Sequence, residues 1–159
     1  DSLVIMNPIF AGTVSKKLLL DLVEARMPLE STTVSLAAKH ATENHFAEMD
    51  PSLTRSGASL PDVSLLNEMN LAFHQQIAIA SGNSVLQQVL GVLTSLFTRE
   101  QRLILDIQNA RQEDHEEHLG IVAALKQRQS ELAVSRMLAH LRNAQEVLQR
   151  WDPSTTPGI

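Results

Sequence analysis

The sequence predicts an all-α protein, an antiparallel bundle of about six to seven helices with short connections. Apolar residues recur at three- and four-residue spacing along most of the chain, which is the period of an amphipathic helix. Alanine and leucine dominate, whereas aromatic residues make up 3% and tyrosine is absent, a composition that favours helix over strand. No segment alternates with a period of two. The 159 residues therefore fit one helical domain with a sizeable core.

The first two helices are predicted from their caps and prolines. Ser15 is a suitable N-cap for the first helix, whose apolar stripe follows it. Pro28 lies inside this stretch and lacks a backbone donor, so it is expected to kink or divide the helix. A short second helix is predicted to begin after Thr42 and to stop at Pro51. The composition of residues 52–61 predicts a loop.

Gly82 sets the predicted boundary between the third and fourth helices. A third helix begins near residue 60 and ends before Gly82, which suits the left-handed position after a helix C-terminus. Asn83 and Ser84 can then cap the next helix. Three more helices are predicted, over residues 84–108, about 112–129 and 130–151. Asp152-Pro153 ends the last of them.

Charge and composition exclude several classes of function. The net charge is -5 with 13 Lys and Arg residues, so the chain lacks the basic surface that binds nucleic acid. No apolar run reaches the 18 or more residues of a membrane span. There is no cysteine, which excludes disulfides and thiolate metal sites. We expect a cytoplasmic location, and the lack of cysteine is compatible with it.

Three of the six histidines lie on apolar helix faces. His74, His118 and His140 each share a face with aliphatic residues of their own predicted helix. Asn70 lies one turn before His74, so the two side chains project in the same direction. The other three histidines lie in polar surroundings and are predicted to be exposed: His40, His45 and His115.

Two interpretations of the inward histidines are open from spacing alone. Each is a core histidine with a hydrogen-bond partner, or all three bind one metal ion. A buried imidazole without a partner costs about 1–3 kcal/mol, and a metal ion would satisfy all three at once. Three histidine nitrogens and one oxygen suit Zn²⁺, Ni²⁺ or another divalent ion.

Four segments in this order resemble the FCD domain, the C-terminal effector-binding domain of the FadR subfamily of GntR-type bacterial transcription regulators. The segments are DLVEARMPLES, NLAFHQQIAIASGN, EEHLGIVAALKQ and SRMLAHL. The likeness covers residues 15–151, nearly the whole chain. Its most specific parts are the FH…ASGN block and the step of 22 residues from His118 to His140.

This resemblance implies a helical bundle with a divalent metal on the floor of its pocket. In metal-binding members the ligands are an Asp and three histidines, and these positions fall here on Asn70, His74, His118 and His140. Zn²⁺ and Ni²⁺ are the first candidates, with Mn²⁺ and Co²⁺ as alternatives. Asn70 departs from the pattern, because an amide oxygen brings no negative charge. We expect weaker metal binding and a stronger pull on an anionic ligand.

The resemblance also places Arg26 in the effector pocket. A guanidinium is suited to a bidentate grip on a carboxylate. The alternative is a surface arginine paired with Glu24 or Glu30. The family further implies a homodimer and a winged helix-turn-helix domain upstream, through which alone the protein would contact DNA. On this basis residues 1–13 are a residual interdomain linker, 14–152 the ligand-binding domain and 153–159 a C-terminal tail.

The expected function is therefore that of a sensor. A small carboxylate, such as a hydroxy acid or a sugar acid, would bind the metal and shift an equilibrium between helix arrangements. One alternative is a metal-free bundle that binds a larger apolar or acyl ligand. Another is an enzyme whose metal is held by the three histidines, but no carboxylate is found on the histidine faces as a general base. Glu117 adjoins His118 yet points about 100° away on a helix. We predict no catalytic residues.

Overall fold

The computed structural model describes residues 15–58, 62–107 and 111–155. These residues form six α-helices and one turn of 3-10 helix, and none of them lies in a strand. The helices are α1 (Lys16–His40), α2 (Glu43–Ala58), α3 (Val63–Ala80), α4 (Ser84–Ile107), α5 (Arg111–Lys126) and α6 (Ser130–Arg150), and the 3-10 turn is Pro153–Thr155. The all-α prediction is confirmed. The predicted linker over residues 1–13 lies outside the described residues, as does the end of the tail over 156–159.

Helix α1 begins as predicted but is not divided. The Ser15 hydroxyl accepts a hydrogen bond from the backbone N–H of Leu18 at 3.1 Å. The helix then continues through Pro28 to His40, so of the two predicted outcomes, a kink or a division, the division is wrong. Pro28 lies on the exposed side, whereas residues before and after it pack into the core. Packing along this whole helix outweighs the roughly 3 kcal/mol that an internal proline costs.

Helix α2 likewise runs through its proline. It continues past Pro51 to Ala58, so the predicted loop is wrong over residues 52–58, and residues 59–61 lie outside the described part. Met49 and Leu53 are both buried, four residues apart on one face. Because the apolar face continues across the proline, tertiary packing keeps this segment helical.

The turn between α3 and α4 confirms the local predictions. Gly82 has a φ of +71°, a left-handed conformation that glycine adopts without strain. The Asn83 side-chain oxygen accepts hydrogen bonds from the backbone N–H groups of Val85 and Leu86, at 3.1 and 3.0 Å. This cap starts α4 one residue later, at Ser84.

The core lies where α1, α3, α5 and α6 meet. Helix α1 packs chiefly on α6, α3 packs on α2 and α4, and α5 packs on α6 and α2. The buried apolar side chains include Leu19, Val23, Phe73, Ile121, Leu125, Met137, Leu141 and Leu148. Among the residues that the structure describes, no helix is long and apolar enough to span a membrane.

Candidate metal centre

The three histidines on apolar faces meet in the middle of the core. His74 comes from α3, His118 from α5 and His140 from α6, and one ring nitrogen of each lies within 4.8 Å of the other two. The ring centroids are 4.7 to 5.3 Å apart. All three side chains are buried. Helical periodicity indicated that each imidazole is buried, and the structure brings the three together in a single cluster.

A carboxylate from α1 joins this cluster to Arg26. Glu30 accepts a hydrogen bond from His74 Nδ1 at 2.6 Å through Oε2, and one from Arg26 Nε at 2.6 Å through Oε1. Both α1 residues are 3% exposed. Arg26 therefore pairs with Glu30, one of the two partners named in the alternative, but the pair lies in the interior and not on the surface. The signal for Glu30 was its spacing of four residues from Arg26, which puts both on one helix face.

A second carboxylate holds His140. Glu117 accepts a hydrogen bond from His140 Nδ1 at 2.7 Å and another from the side-chain amide of Asn143. The direction of Glu117, away from the face of His118, aims it at α6. Spacing along α5 did not predict this contact, because it is made between two helices and not along one.

A third carboxylate lies between two of the histidines. Asp114 is buried and accepts a hydrogen bond from the side-chain amide of Asn70. Its Oδ2 is 4.0 Å from His118 Nδ1, and its Oδ1 is 3.8 Å from His140 Nδ1. Sequence reasoning missed Asp114 because EDHEEH is typical of a solvated acidic segment. The available signal was its position four residues before His118, on the same helix face.

Several polar atoms of the cluster have no hydrogen-bond partner among the described residues. They include Asn70 Oδ1, His74 Nε2 and His118 Nδ1. Since Glu30 accepts from His74 Nδ1, the Nε2 of that ring carries an unused lone pair. Each unsatisfied buried polar group costs about 1–3 kcal/mol. Such groups in one cluster indicate that a bound species would complete it.

The donor set fits a divalent metal ion. His118 Nε2 and His140 Nε2 are 3.3 Å apart. Two nitrogens that bind one tetrahedral metal at about 2.0–2.1 Å lie roughly 3.3 Å from each other. Glu30 and Glu117 hold the opposite nitrogens of His74 and His140, which is the usual outer support of metal-binding histidines. Imidazole nitrogens with carboxylate or amide oxygens suit Zn²⁺ and its neighbours.

Burial sets the protonation of the histidines. Burial lowers the pKa of His118 well below its ordinary 6.5, and the neighbouring His140 and His74 lower that pKa further. Burial also lowers the pKa of His74, against the opposing effect of Glu30. Both rings are therefore neutral at pH 7, the form that binds metals. For His140, burial acts in the same direction, but the hydrogen bond to Glu117 and the charge of Asp114 raise its pKa overall.

The two buried carboxylates, Glu30 and Asp114, differ in the charges around them. Burial would raise the pKa of Glu30, but the positive charge of Arg26 and the contact with His74 hold that pKa well below its ordinary range. Burial raises the pKa of Asp114, although His140 opposes this change. Glu30 thus has a permanent cation beside it, whereas the described ion-pair contacts of Asp114 are with histidines only.

The other three histidines, His40, His45 and His115, do not belong to this cluster. His40 is exposed, as predicted, whereas His45 and His115 are half-buried. His115 lines an open groove of about 440 Å³ between α2 and α5, together with Leu53, Leu119 and Lys126. None of the predicted site residues lines this groove.

Known proteins match the chain in sequence. The FCD domain family matches residues 21–143. The chain is 33% identical over 150 residues to the HTH-type transcriptional regulator LutR of Bacillus subtilis, covering 91% of this chain and 68% of LutR. It is 25% identical over 122 residues to the HTH-type transcriptional repressor NanR of Salmonella typhimurium, covering 76% of this chain and 46% of NanR.

Solved structures match the fold. E. coli McbR/YncC superposes with a TM-score of 0.75 at 20% identity, over 86% of this chain and 66% of that one. Streptococcus agalactiae GntR superposes with a TM-score of 0.72 at 20% identity, over 87% of this chain and 64% of that one. The chain thus spans less than half of NanR and about two thirds of the other three proteins.

Proposed function

Because this chain belongs to the FCD family of effector-binding domains in GntR-type regulators, we propose that it senses a small carboxylate through a buried divalent metal. It is a regulatory domain and not an enzyme, since its relatives are transcriptional regulators. Binding of the carboxylate would control DNA binding by a separate N-terminal domain of a dimeric, cytoplasmic protein.

The observation that carries the metal proposal is the histidine cluster. Three buried imidazoles from three helices place ring nitrogens within 4.8 Å of one another, and two of the rings have an unpartnered nitrogen. His74, His118 and His140 would hold the ion, with the Asn70 oxygen beside them. The metal supplies a positive centre that attracts carboxylate oxygens. Zn²⁺ and Ni²⁺ head the candidates because imidazole ligands favour them, with Mn²⁺ and Co²⁺ as alternatives.

Arg26 is proposed to bind the effector carboxylate. Its guanidinium lies in the same interior region, since Glu30 contacts both Arg26 Nε and His74 Nδ1. A guanidinium has five N–H donors, and here its Nε donates to Glu30. A planar carboxylate matches the fork of N–H groups that a guanidinium presents.

The position of the cluster supports the proposal of allosteric control. Its side chains come from α1, α3, α5 and α6, so a ligand bound among them would lie between four helices. A ligand that fits one arrangement of these helices better than another shifts the equilibrium between them. A coupling of about 1–3 kcal/mol suffices for such control.

No described contact favours the alternative of a larger apolar ligand. Phe73 packs against His74 and His118, but many buried side chains at the cluster are polar: Arg26, Glu30, Asn70, Asp114 and the three histidines. An acyl chain placed among them would leave their polar atoms without partners, which costs free energy at each one.

Metal content is the first test. We would purify the chain without chelator or nickel column, measure its metal by elemental analysis and titrate Zn²⁺, Ni²⁺, Mn²⁺ and Co²⁺ by calorimetry. We expect about one metal ion per chain, lost in His140→Ala and retained in His40→Ala, which removes an exposed histidine. A parent chain that binds none of these ions would contradict the proposal.

The effector is tested on the metal-loaded protein. Hydroxy acids and sugar acids would be screened by thermal shift and then measured by calorimetry. Arg26→Met is expected to weaken the acid that binds the parent, while Arg142→Met, which removes an exposed arginine from α6, leaves its affinity unchanged. Equal affinities in the parent and Arg26→Met would exclude Arg26 from the effector site.

A further inference from the structure

We propose that Asn67 is a specificity residue of the effector site, an inference that rests on the proposed function. Its buried amide oxygen accepts a hydrogen bond from a hydroxyl group of the bound acid. The effector is therefore a sugar acid, which carries hydroxyl groups along its carbon chain, and neither a short hydroxy acid nor a fatty acid.

Asn67 lies on the face of α3 that bears His74. Positions three and seven residues apart on a helix fall within about 60° of one another, so Asn67, Asn70 and His74 form one row. Their exposed fractions are 5%, 0% and 8%, so the whole row is buried. Glu68, the next residue along the chain, is exposed, as expected for a position that points away from this row.

The two asparagines of this row use their N–H groups and leave their oxygens unpartnered. Asn67 Nδ2 donates to the backbone carbonyl of Thr98 on α4 at 3.3 Å, and Asn70 Nδ2 donates to Asp114 on α5. Neither side-chain oxygen has a hydrogen-bond partner among the described residues. A buried oxygen without a partner costs about 1–3 kcal/mol, which a donor group of a ligand recovers.

The chemistry of the Asn67 oxygen selects a hydroxyl group. An amide oxygen accepts hydrogen bonds and does not donate them, so its partner must carry an O–H or N–H group. A hydroxyl supplies this hydrogen without a charge, whereas an ammonium would bring a buried charge that an uncharged amide does not pair. An acyl chain has no donor at all and would leave the oxygen unsatisfied.

The position of Asn67 along α3 sets the length of the acid. Asn67 precedes His74 by seven residues, which is about 10.5 Å along a helix. A metal bond of about 2.1 Å and a hydrogen bond of about 2.8 Å leave roughly 5–6 Å for the carbon chain between them. The hydroxyl of lactate lies on the carbon next to the carboxylate and does not reach Asn67, whereas the far hydroxyl groups of a six-carbon sugar acid do.

The first test compares acids on the Zn²⁺-loaded chain by calorimetry. The sugar acids are gluconate, galactonate, glucuronate and galacturonate, and the comparison acids are lactate and hexanoate. We expect at least one sugar acid to bind about tenfold tighter than both comparison acids. Lactate or hexanoate binding as tightly as every sugar acid would overturn this inference alone. A chain that binds no metal, or binds Zn²⁺ and no carboxylate, would instead overturn the proposed function.

The second test removes the oxygen. Asn67→Leu keeps a side chain of similar size, and we expect the best sugar acid to bind about tenfold weaker while hexanoate binds as in the parent. A merely structural role of Asn67 would weaken both acids alike. The matched control is Glu68→Leu, which places leucine at the exposed neighbouring position and should keep the preference of the parent. An unchanged preference in Asn67→Leu would overturn the role of Asn67.

A test with altered ligands does not depend on the folding of Asn67→Leu. Deoxy analogues of the best sugar acid each lack one hydroxyl beyond the carbon next to the carboxylate, and we expect one of them to bind the parent about tenfold weaker. That analogue should bind Asn67→Leu as tightly as the complete acid, because the partner of the missing hydroxyl is already gone. Uniform affinities of the parent for all analogues, or an equal loss in both proteins, would overturn the proposal.

Discussion

Helices α1 and α6 contain two adjoining regions that differ in what they contribute. At the start of α1 and the end of α6, buried Leu19 and Val23 belong to one apolar cluster with Leu148, and Lys16 Nζ donates to the Gln149 and Trp151 carbonyls at 2.6 and 2.7 Å. Further along the same helices, charged and ionisable side chains are buried among the apolar ones. They are Arg26 and Glu30 on α1 and His140 on α6.

The apolar region contributes to the stability of the bundle, whereas the polar region offers contacts to a ligand. Burial of apolar surface contributes about 25 cal/mol per Å², so the apolar region stabilises the bundle whether or not a ligand is bound. The polar region contains satisfied pairs, such as Arg26 with Glu30, and unsatisfied atoms, such as His74 Nε2. The unsatisfied atoms lower the stability of the ligand-free protein and supply the contacts that a metal would make.

The largest expected loss of stability comes from removing Glu30, whose carboxylate pairs with Arg26 and His74. Glu30→Ala removes the carboxylate that contacts both Arg26 and His74, and it leaves the buried guanidinium without this counter-charge. We expect a loss of about 3–5 kcal/mol, measured by urea unfolding with chelator present. Glu24→Ala, an exposed position on the same helix, serves as control. A loss no larger than that of the control would mean that the pair contributes little to stability.

The apolar region is tested at Leu148, which is 0% exposed. Leu148→Ala removes buried methyl groups and leaves a cavity, so we expect a loss of about 2–5 kcal/mol in unfolding free energy. Zn²⁺ affinity, titrated at a temperature where the variant is folded, should stay that of the parent. A large change in affinity would show that the two regions are energetically coupled and would break the distinction between them.

The buried histidine nitrogens without a hydrogen-bond partner are tested by measuring how much added Zn²⁺ stabilises the protein. At a free concentration of about 100 times the dissociation constant, Zn²⁺ should stabilise the parent by about 2.7 kcal/mol. His118→Leu removes a fully buried imidazole with an unpartnered nitrogen. We expect no stabilisation by Zn²⁺ in this variant, and a stability in chelator equal to or above that of the parent. Equal gains with Zn²⁺ in both proteins would place the metal elsewhere.

The smallest effect is a dependence of stability on pH in the metal-free protein. The pKa values of His74 and His118 are below 6.5 in the folded state. The unfolded chain therefore binds more protons below this pH, so their contribution is fully present above pH 6.5 and is lost as pH falls. His140, with a raised pKa, contributes in the opposite sense, fully below pH 6.5 and less as pH rises.

Unfolding measured between about pH 6.5 and 5 should separate these contributions, since each proton changes stability by about 1.4 kcal/mol per pH unit. His118→Leu removes one titrating group and should reduce the loss of stability on acidification. An equal pH dependence in His118→Leu and the parent would contradict the assignment of a lowered pKa to His118.

The sequence by itself determined the fold class, the inward histidines and several helix ends, because these depend on local patterns. Helical periodicity predicted the fold class and selected His74, His118 and His140, because residues three and four apart share a helix face wherever the helix packs. Ser15 and Gly82 marked helix ends through hydrogen bonding and backbone conformation within a few residues. The resemblance to the FCD family, carried by short segments, was confirmed.

Only the tertiary structure decided which groups surround the histidines. Glu30 meets His74 across 44 residues, Asn70 meets Asp114 across 44, and Glu117 meets His140 across 23. No helical period relates such pairs, because the angle and depth at which two helices pack depend on all the side chains between them. The same packing carried α1 and α2 through Pro28 and Pro51, against the local preference of proline. The sequence therefore determines which residues of each helix face inward. The packing of the helices against one another determines which carboxylates reach the histidines.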